Sequence, residues 1–207
     1  MSRTCRLTAM ALLLGLSSAC SILPQADPAD VYRLPTAAVA RQAGQPVSWS
    51  LRLNKPIASE VLNSPRIAVV PQGNLISTYK GARWSDPAPA LLRNRLLDAF
   101  QADGRVQRLS ADDANLQADY ELAGELQAFQ SEYSASGLAV VLRYDARLVQ
   151  GRTQRILASR RFEVRQPVAD KQVPAVVDGF GQATDKLAAQ LVDWAVAQGN
   201  QYQAKNQ

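Results

Sequence analysis

The chain has 207 residues, of which 47% are hydrophobic and 20% charged, enough for one globular domain with extensions. With 23 Lys and Arg against 18 Asp and Glu, its formal charge is +5. No basic run is interleaved with aromatics, so nucleic acid is not the expected partner, whereas anionic lipid headgroups stay compatible with the charge. There are no histidines and two cysteines, which excludes His-based acid–base catalysis and His-ligated metals and leaves too few thiols for a Cys-ligated one.

The first twenty residues, "MSRTCRLTAMALLLGLSSAC", have the three parts of a secretory signal. Arg3 and Arg6 form a basic start. Leu7 to Leu16 form an apolar run too short to span a bilayer. Ser17, Ser18 and Ala19 lead into Cys20. This resembles a bacterial lipobox in which Cys20 is lipidated, with Ser17 standing where Leu is usual. The expected division is a signal segment over 1–19, a lipidated N-terminus and tether over 20–46, one domain over 47–200 and a polar tail over 201–207. Loss of Cys5 with the signal leaves no intrachain disulfide. Several acyl chains make a stable anchor, since each buried CH₂ contributes about 0.8 kcal/mol. In Gram-negative lipoproteins Asp after the cysteine signals inner-membrane retention, so Ser21 points to the outer membrane.

Residues 21–46 are rich in Pro, Ala, Gln and Asp, with a short ordered piece expected at 31–34. Alternation begins in 47–53, where Val47, Trp49, Leu51 and Leu53 share one parity, the mark of a half-buried strand. A second strand covers 66–70, between Pro65 and Pro71. The stretch "LISTYKGARWSDPAPALL" (75–92) reads as the end of that strand, a turn and a helix entrance. Tyr79 and Trp84 have opposite parity within it. Either Gly81 permits a bulge that realigns them, or only one is buried. Tyr79 is expected near the core, and Trp84 partly over the helix entrance. Tyr79, Lys80, Arg83 and Trp84 are the candidate partner interface, because exposed aromatics mark interfaces.

A helix is predicted over 87–102, with Asp86 as N-cap, Pro87 in the first turn, Gly104 as stop and Leu92, Leu96, Ala99 and Phe100 as its stripe. Residues 111–114, "ADDA", read as a loop. Three alternating strands follow. The first has Tyr120, Leu122, Leu126 and Ala128 on one face. The second has Leu138, Val140, Leu142, Tyr144, Ala146 and Leu148, and the third Ile156, Ala158, Phe162 and Val164. They predict an antiparallel meander with hairpin connections at 131–137 and 150–154. Arg160 has core-face parity and is expected either to lie near a strand end or to snorkel outward. A second helix is predicted over 174–198, with Val176, Val177, Phe180, Leu187, Leu191 and Trp194 inward and Gly199 as its end. The expected fold class is α+β: a mainly antiparallel sheet with two amphipathic helices packed on one face, and an optional strand after the first helix.

The other sheet face carries acids on the first meander strand and mostly bases on the next two. Cross-strand ion pairs are expected there, on a face open to solvent, a partner or further copies of the chain. Nucleophile, dinucleotide and phosphate-loop motifs are absent. Glu121 and Glu125 share a face, but an open face offers nothing to separate their pKa values. The reading is no catalytic residue, no cofactor and no metal.

Residues 67–100 resemble the auxiliary lipoproteins of ABC-type transport systems, the PqiC-like group. The resemblance rests on an apolar strand, Tyr79, Trp84, Pro87 and a leucine-rich helix from Leu92, joined by "YRL" at 32–34 and a helix ending near Trp194. It implies a non-catalytic accessory at the outer membrane that docks an MCE-domain protein and an inner-membrane ABC transporter moving lipid between membranes. Direct phospholipid binding would need an apolar gap between helices and sheet. An outer-membrane assembly factor for lipopolysaccharide or a barrel protein is the alternative.

Overall fold

The computed structural model describes residues 28–36 and 44–205. Cys20 and the expected signal segment lie outside the described residues. Strands β1 (Asp30–Tyr32), β2 (Ser50–Leu53), β3 (Ile57–Ala58), β4 (Arg66–Gln72) and β5 (Leu75–Trp84) precede helix α1 (Ala88–Asp103). Then come β6 (Arg108–Ala111), a short 3-10 turn (Asp112–Ala114), the long strands β7 (Tyr120–Ser134), β8 (Gly137–Gln150) and β9 (Arg155–Pro167), and helix α2 (Val173–Ala204).

The strands make one nine-stranded mixed sheet, and β7 is its spine. Along one edge β7 pairs in parallel with β2, then β3, then β4. Along the other it pairs antiparallel with β8, which pairs antiparallel with β9. The meander is as predicted, but the N-terminal half is largely parallel. Alternation reports which face a residue points to; it is blind to the direction of the neighbouring strand.

Two local switches set which residues reach the core. In β7 the register to β8 slips between Leu126 and Ala128, a bulge that exchanges the faces. Before it Tyr120, Leu122 and Leu126 are buried in the core; after it Phe129 is. In β5 the register to β4 slips between the Arg66–Arg83 and Ala68–Thr78 pairs, and Gly81 there has φ 67°. A positive φ costs glycine little because it has no Cβ. This bulge turns both aromatics inward: Trp84 is fully buried and Tyr79 packs against the core.

Both helices lie on the core face. The stripe Leu92, Leu96, Ala99 and Phe100 of α1 is buried as predicted, and so is that of α2. Helix α1 ends at Gly104, whose φ is 80° and whose N–H donates to the Phe100 carbonyl at 3.1 Å. Its start is one residue later than expected. Pro87 takes the N-cap place without a side-chain cap, and its carbonyl accepts the Ala90 and Leu91 N–H groups, leaving Asp86 outside. Helix α2 runs past Gly199 to Ala204. Gly199 is a contact, not a stop: a Cβ there would stand 2.5 Å from the Trp49 ring. The extra turn brings Tyr202 onto the sheet, where its hydroxyl donates to the Leu157 carbonyl. Between the helices Arg95 is buried, its Nε donating to Asp185 Oδ1 at 2.8 Å.

Candidate functional site

Between helices and sheet a cluster of aromatic rings packs together. Trp84 meets Phe180 edge-on at 5.1 Å between centroids, and Phe129 stacks on Phe180 at 4.9 Å. Phe129 also meets Trp84 edge-on at 6.0 Å. Such pairs add roughly 0.5–1.5 kcal/mol beyond the area they bury. Trp84 is 0% exposed, so it is a pin between the layers and not a partner contact. Of the two alternatives, the Gly81 bulge is the one the structure takes, and it carries Trp84 past the expected position over the helix entrance into the core. Tyr79 is half-buried, and its hydroxyl is 2.9 Å from Ser131 Oγ. Burial pushes its phenol above the ordinary tyrosine range. Of the four candidate interface residues, Lys80 and Arg83 are the exposed ones.

The opposite face of the meander carries a ladder of ion pairs. Arg147 meets Glu125 at 2.7 Å and Arg165 meets Glu132 at 3.0 Å, both across the β7–β8–β9 surface. Arg143 and Glu163 are paired in register and joined at 2.8 and 3.3 Å. Arg161 grips Asp145 through two bonds of 2.6 and 2.7 Å. Hydrogen bonding from Arg161 holds the Asp145 carboxyl below its ordinary range, and Arg143 does the same for Glu163. The expected alternation of acids and bases thus becomes a set of four ion pairs across the strands. Arg160, of core-face parity, is exposed, and its guanidinium sits 4.8 Å from the Phe162 ring centroid.

A polar groove of about 1070 Å³ opens at one end of the sheet. The starts of β2 and β7, the end of β8, the 151–154 turn and Gln203 of α2 line it. Glu121 stands in this lining, 5% exposed. It accepts hydrogen bonds from Asn54 Nδ2 at 2.9 Å and Gln154 Nε2 at 3.0 Å, and pairs with Arg52 at 2.7 Å. Burial acts to raise the Glu121 carboxyl, and these donors outweigh it, so its pKa is lowered. Arg52 Nε and Asn54 Oδ1 are buried without a hydrogen-bond partner among the described residues. Beside them Asp119 Oδ2 accepts from both the N–H and the hydroxyl of Ser50 at 2.7 Å, tying β2 to the start of β7. Glu121 is therefore not on an open face, as expected from parity, and it is far in role from Glu125, which belongs to the ladder. Arg52, Asn54 and Gln154 escaped the sequence reading. No spacing ties residues 52, 54, 121 and 154; only the parallel β2–β7 pairing and the 151–154 turn bring them together.

The class these features define is an α+β domain with a packed interior that presents charge and polar groups on its surfaces. Among the described residues no helix is long and apolar enough to cross a membrane. The chain belongs to the family of ABC-type transport auxiliary lipoprotein components, whose sequence model matches residues 32–192. It is 30% identical to protein XCC0632 from Xanthomonas campestris, whose crystal structure superposes with a TM-score of 0.79 over 85% of this chain and 99% of that one. A second crystal structure, of an uncharacterized protein, shares the fold at 16% identity with a TM-score of 0.62, over 81% of this chain and 98% of that one. An uncharacterized protein of Bradyrhizobium diazoefficiens, bll6063, is 28% identical over 166 residues, 80% of this chain. This chain spans 44% of the length of that curated relative.

Proposed function

We propose that this protein is an outer-membrane lipoprotein, anchored through Cys20 and facing the periplasm. In this reading it is the non-catalytic docking subunit of a transport system in which an MCE-domain protein and an ABC transporter move lipid between membranes. The observation that carries the reading is the filled interior. Trp84, Phe129 and Phe180 pack together in the layer in which a carried acyl chain would lie, which supports a role played through the surface. The polar groove supports docking of protein, because its carboxylate, guanidinium and amide groups suit a partner's backbone and polar side chains. Its lining is mostly polar, with Trp49 and Tyr120 as its large ring side chains, unlike the mainly apolar pockets that bury acyl chains.

The test is a pull-down of the full-length lipoprotein from solubilised envelopes, with wild type beside Arg152→Glu at the groove rim. The expected result is recovery of an MCE-domain protein by wild type and at least a fivefold loss with R152E. Envelopes that contain such a protein and never yield it would contradict the proposal. Recovery of lipopolysaccharide-assembly or barrel proteins in its place would contradict it equally.

A further inference from the structure

The polar groove is bordered by exposed aliphatic residues. One row of register partners crosses the sheet there, on the face opposite the core: Ile156 of β9, Val149 of β8, Glu121 of β7, Arg52 of β2 and Ser110 of β6. Ile156 is 55% exposed at one end of the row. Toward the other end the Leu116 carbonyl accepts from Arg52 Nη1 at 3.4 Å, and Leu116 is 58% exposed. From β9 to β6 there are four strand spacings of about 4.8 Å, roughly 19 Å in all, the length of five or six extended residues. A polar centre thus lies between two apolar shoulders.

The charge around the groove is unbalanced. Glu121 is matched by Arg52. Burial acts to raise the Asp119 carboxyl, and the Ser50 hydroxyl and N–H, helped by Arg108, lower it instead. Arg108 and Arg155 are the register partners of Ser50 and Gln150, which line the groove, and Arg152 lines it directly. These three arginines are exposed, and none is in an ion pair among the described residues. Guanidinium therefore outnumbers carboxylate here. The lining adds the carboxamides of Asn115, Gln117, Gln150, Gln154 and Gln203, each able to donate and to accept, as a peptide link requires. The rings of the lining, Trp49 and Tyr120, are 2% and 8% exposed, so neither offers the open face on which a sugar stacks.

Topology adds direction. Strand β1 runs parallel to β5, so the chain from Cys20 enters on the side of the β4–β5 turn. Cys20 stands ten residues before Asp30, a reach of at most about 35 Å. The turn lies beside the end of β7 and the groove at its start, and the 15 residues of β7 span roughly 50 Å. With Cys20 in the membrane, the groove faces what arrives from the periplasm.

We propose that the groove seats an acidic, extended segment of the periplasmic partner protein. Its Asp and Glu side chains meet Arg108, Arg152 and Arg155. Its main chain runs over the carboxamides, and an apolar side chain toward each end rests on Leu116 and Ile156. The shoulders supply contact area, and the arginines select the partner, since complementary charge steers association and like charge is rejected. This inference deepens the docking reading and rests on it.

The experiment uses full-length lipoprotein in its own envelopes, with p-benzoylphenylalanine at one position per variant: Gln117 in the groove, Thr153 on the adjoining turn, or Asn74 at the far hairpin. Cross-linked products are sequenced by mass spectrometry. Positions 117 and 153 are expected to capture one contiguous segment of an MCE-domain protein, richer in Asp and Glu than in Lys and Arg, and position 74 is not. A synthetic peptide of that segment should bind the purified lipoprotein. R108Q/R152Q/R155Q, or amides in place of the peptide's own acids, should weaken it by about tenfold with Tm retained. Cross-links from 117 and 153 to a basic segment, a glycan or lipid overturn the inference, and so does peptide binding that ignores both neutralisations. An MCE-domain protein captured only from position 74 overturns it too, while leaving docking in place elsewhere on the domain. Capture of no MCE-domain protein from any of the three positions contradicts the docking reading itself, and this inference with it.

Discussion

The two halves of the sheet use arginine in opposite ways. On β7–β8–β9 four arginines, Arg143, Arg147, Arg161 and Arg165, each have a carboxylate on another strand, Arg165 reaching across β8 to Glu132. On β4–β5, Arg66 and Arg83 face each other, and Lys80 is exposed and in no ion pair among the described residues. One region pairs four of its arginines within the domain; the other places none of its cations in an ion pair among the described residues. Beneath both lies the same aromatic layer, so surface chemistry separates them while the core holds them together.

The largest expected effect removes the part that the halves share. Trp84→Ala leaves a cavity among Phe129, Phe180 and the helices, and Phe or Trp to Ala in a core costs about 3–5 kcal/mol. Chemical denaturation should show that loss. A variant of unchanged stability would return Trp84 to the surface and undo the bulge argument. Next comes Gly199→Leu. A side chain there meets the Trp49 ring, within 3.0 Å at several atoms, and overpacking of this kind costs roughly 1–3 kcal/mol. If Gly199 merely ended the helix, the same change would lengthen it and leave stability intact.

Acid should act on the paired regions first. Glu121, Asp145 and Glu163 have lowered pKa values in the fold. Their stabilisation is whole above the unfolded carboxylate pKa, about 4, and is lost as pH falls through the lower folded values. Tm should hold near neutrality and drop below about pH 4, and Glu121→Gln should make the drop shallower. A Tm profile for E121Q parallel to wild type would mean that the Arg52–Asn54–Gln154 cluster does not favour the charged carboxylate.

The smallest effects sharpen the contrast itself. A double-mutant cycle on Arg143 and Glu163 should give a coupling of about 0.2–1 kcal/mol that shrinks with salt. Arg66→Gln should do the reverse, leaving stability unchanged or raising it by a few tenths of a kcal/mol, since it relieves repulsion from Arg83. A clear destabilisation by R66Q would show that the hairpin is as self-contained as the meander.

What the sequence made legible follows from this division. The meander and both helices stood out because Leu138 to Leu148 and Val176 to Trp194 keep one period over many residues. The ladder followed from the opposite parity. Strands β3 and β6 were too short to show a period, and β5 was hidden because its bulge breaks the alternation at Gly81. Trp84 was misplaced for the same reason, and Phe129 was missed because Gln127 shifts the parity of β7. The groove was illegible because the parallel contacts that build it join residues nearly seventy positions apart, such as Ser50 and Asp119.

The central claim is a domain with a filled interior that works by docking. Native mass spectrometry of the lipoprotein, purified from envelopes in mild detergent with its bound partners, tests it most directly. The account predicts an assembly with an MCE-domain protein, in which this subunit carries its covalent acyl chains and no other lipid. A subunit that holds a phospholipid of its own and retains no such partner would contradict it.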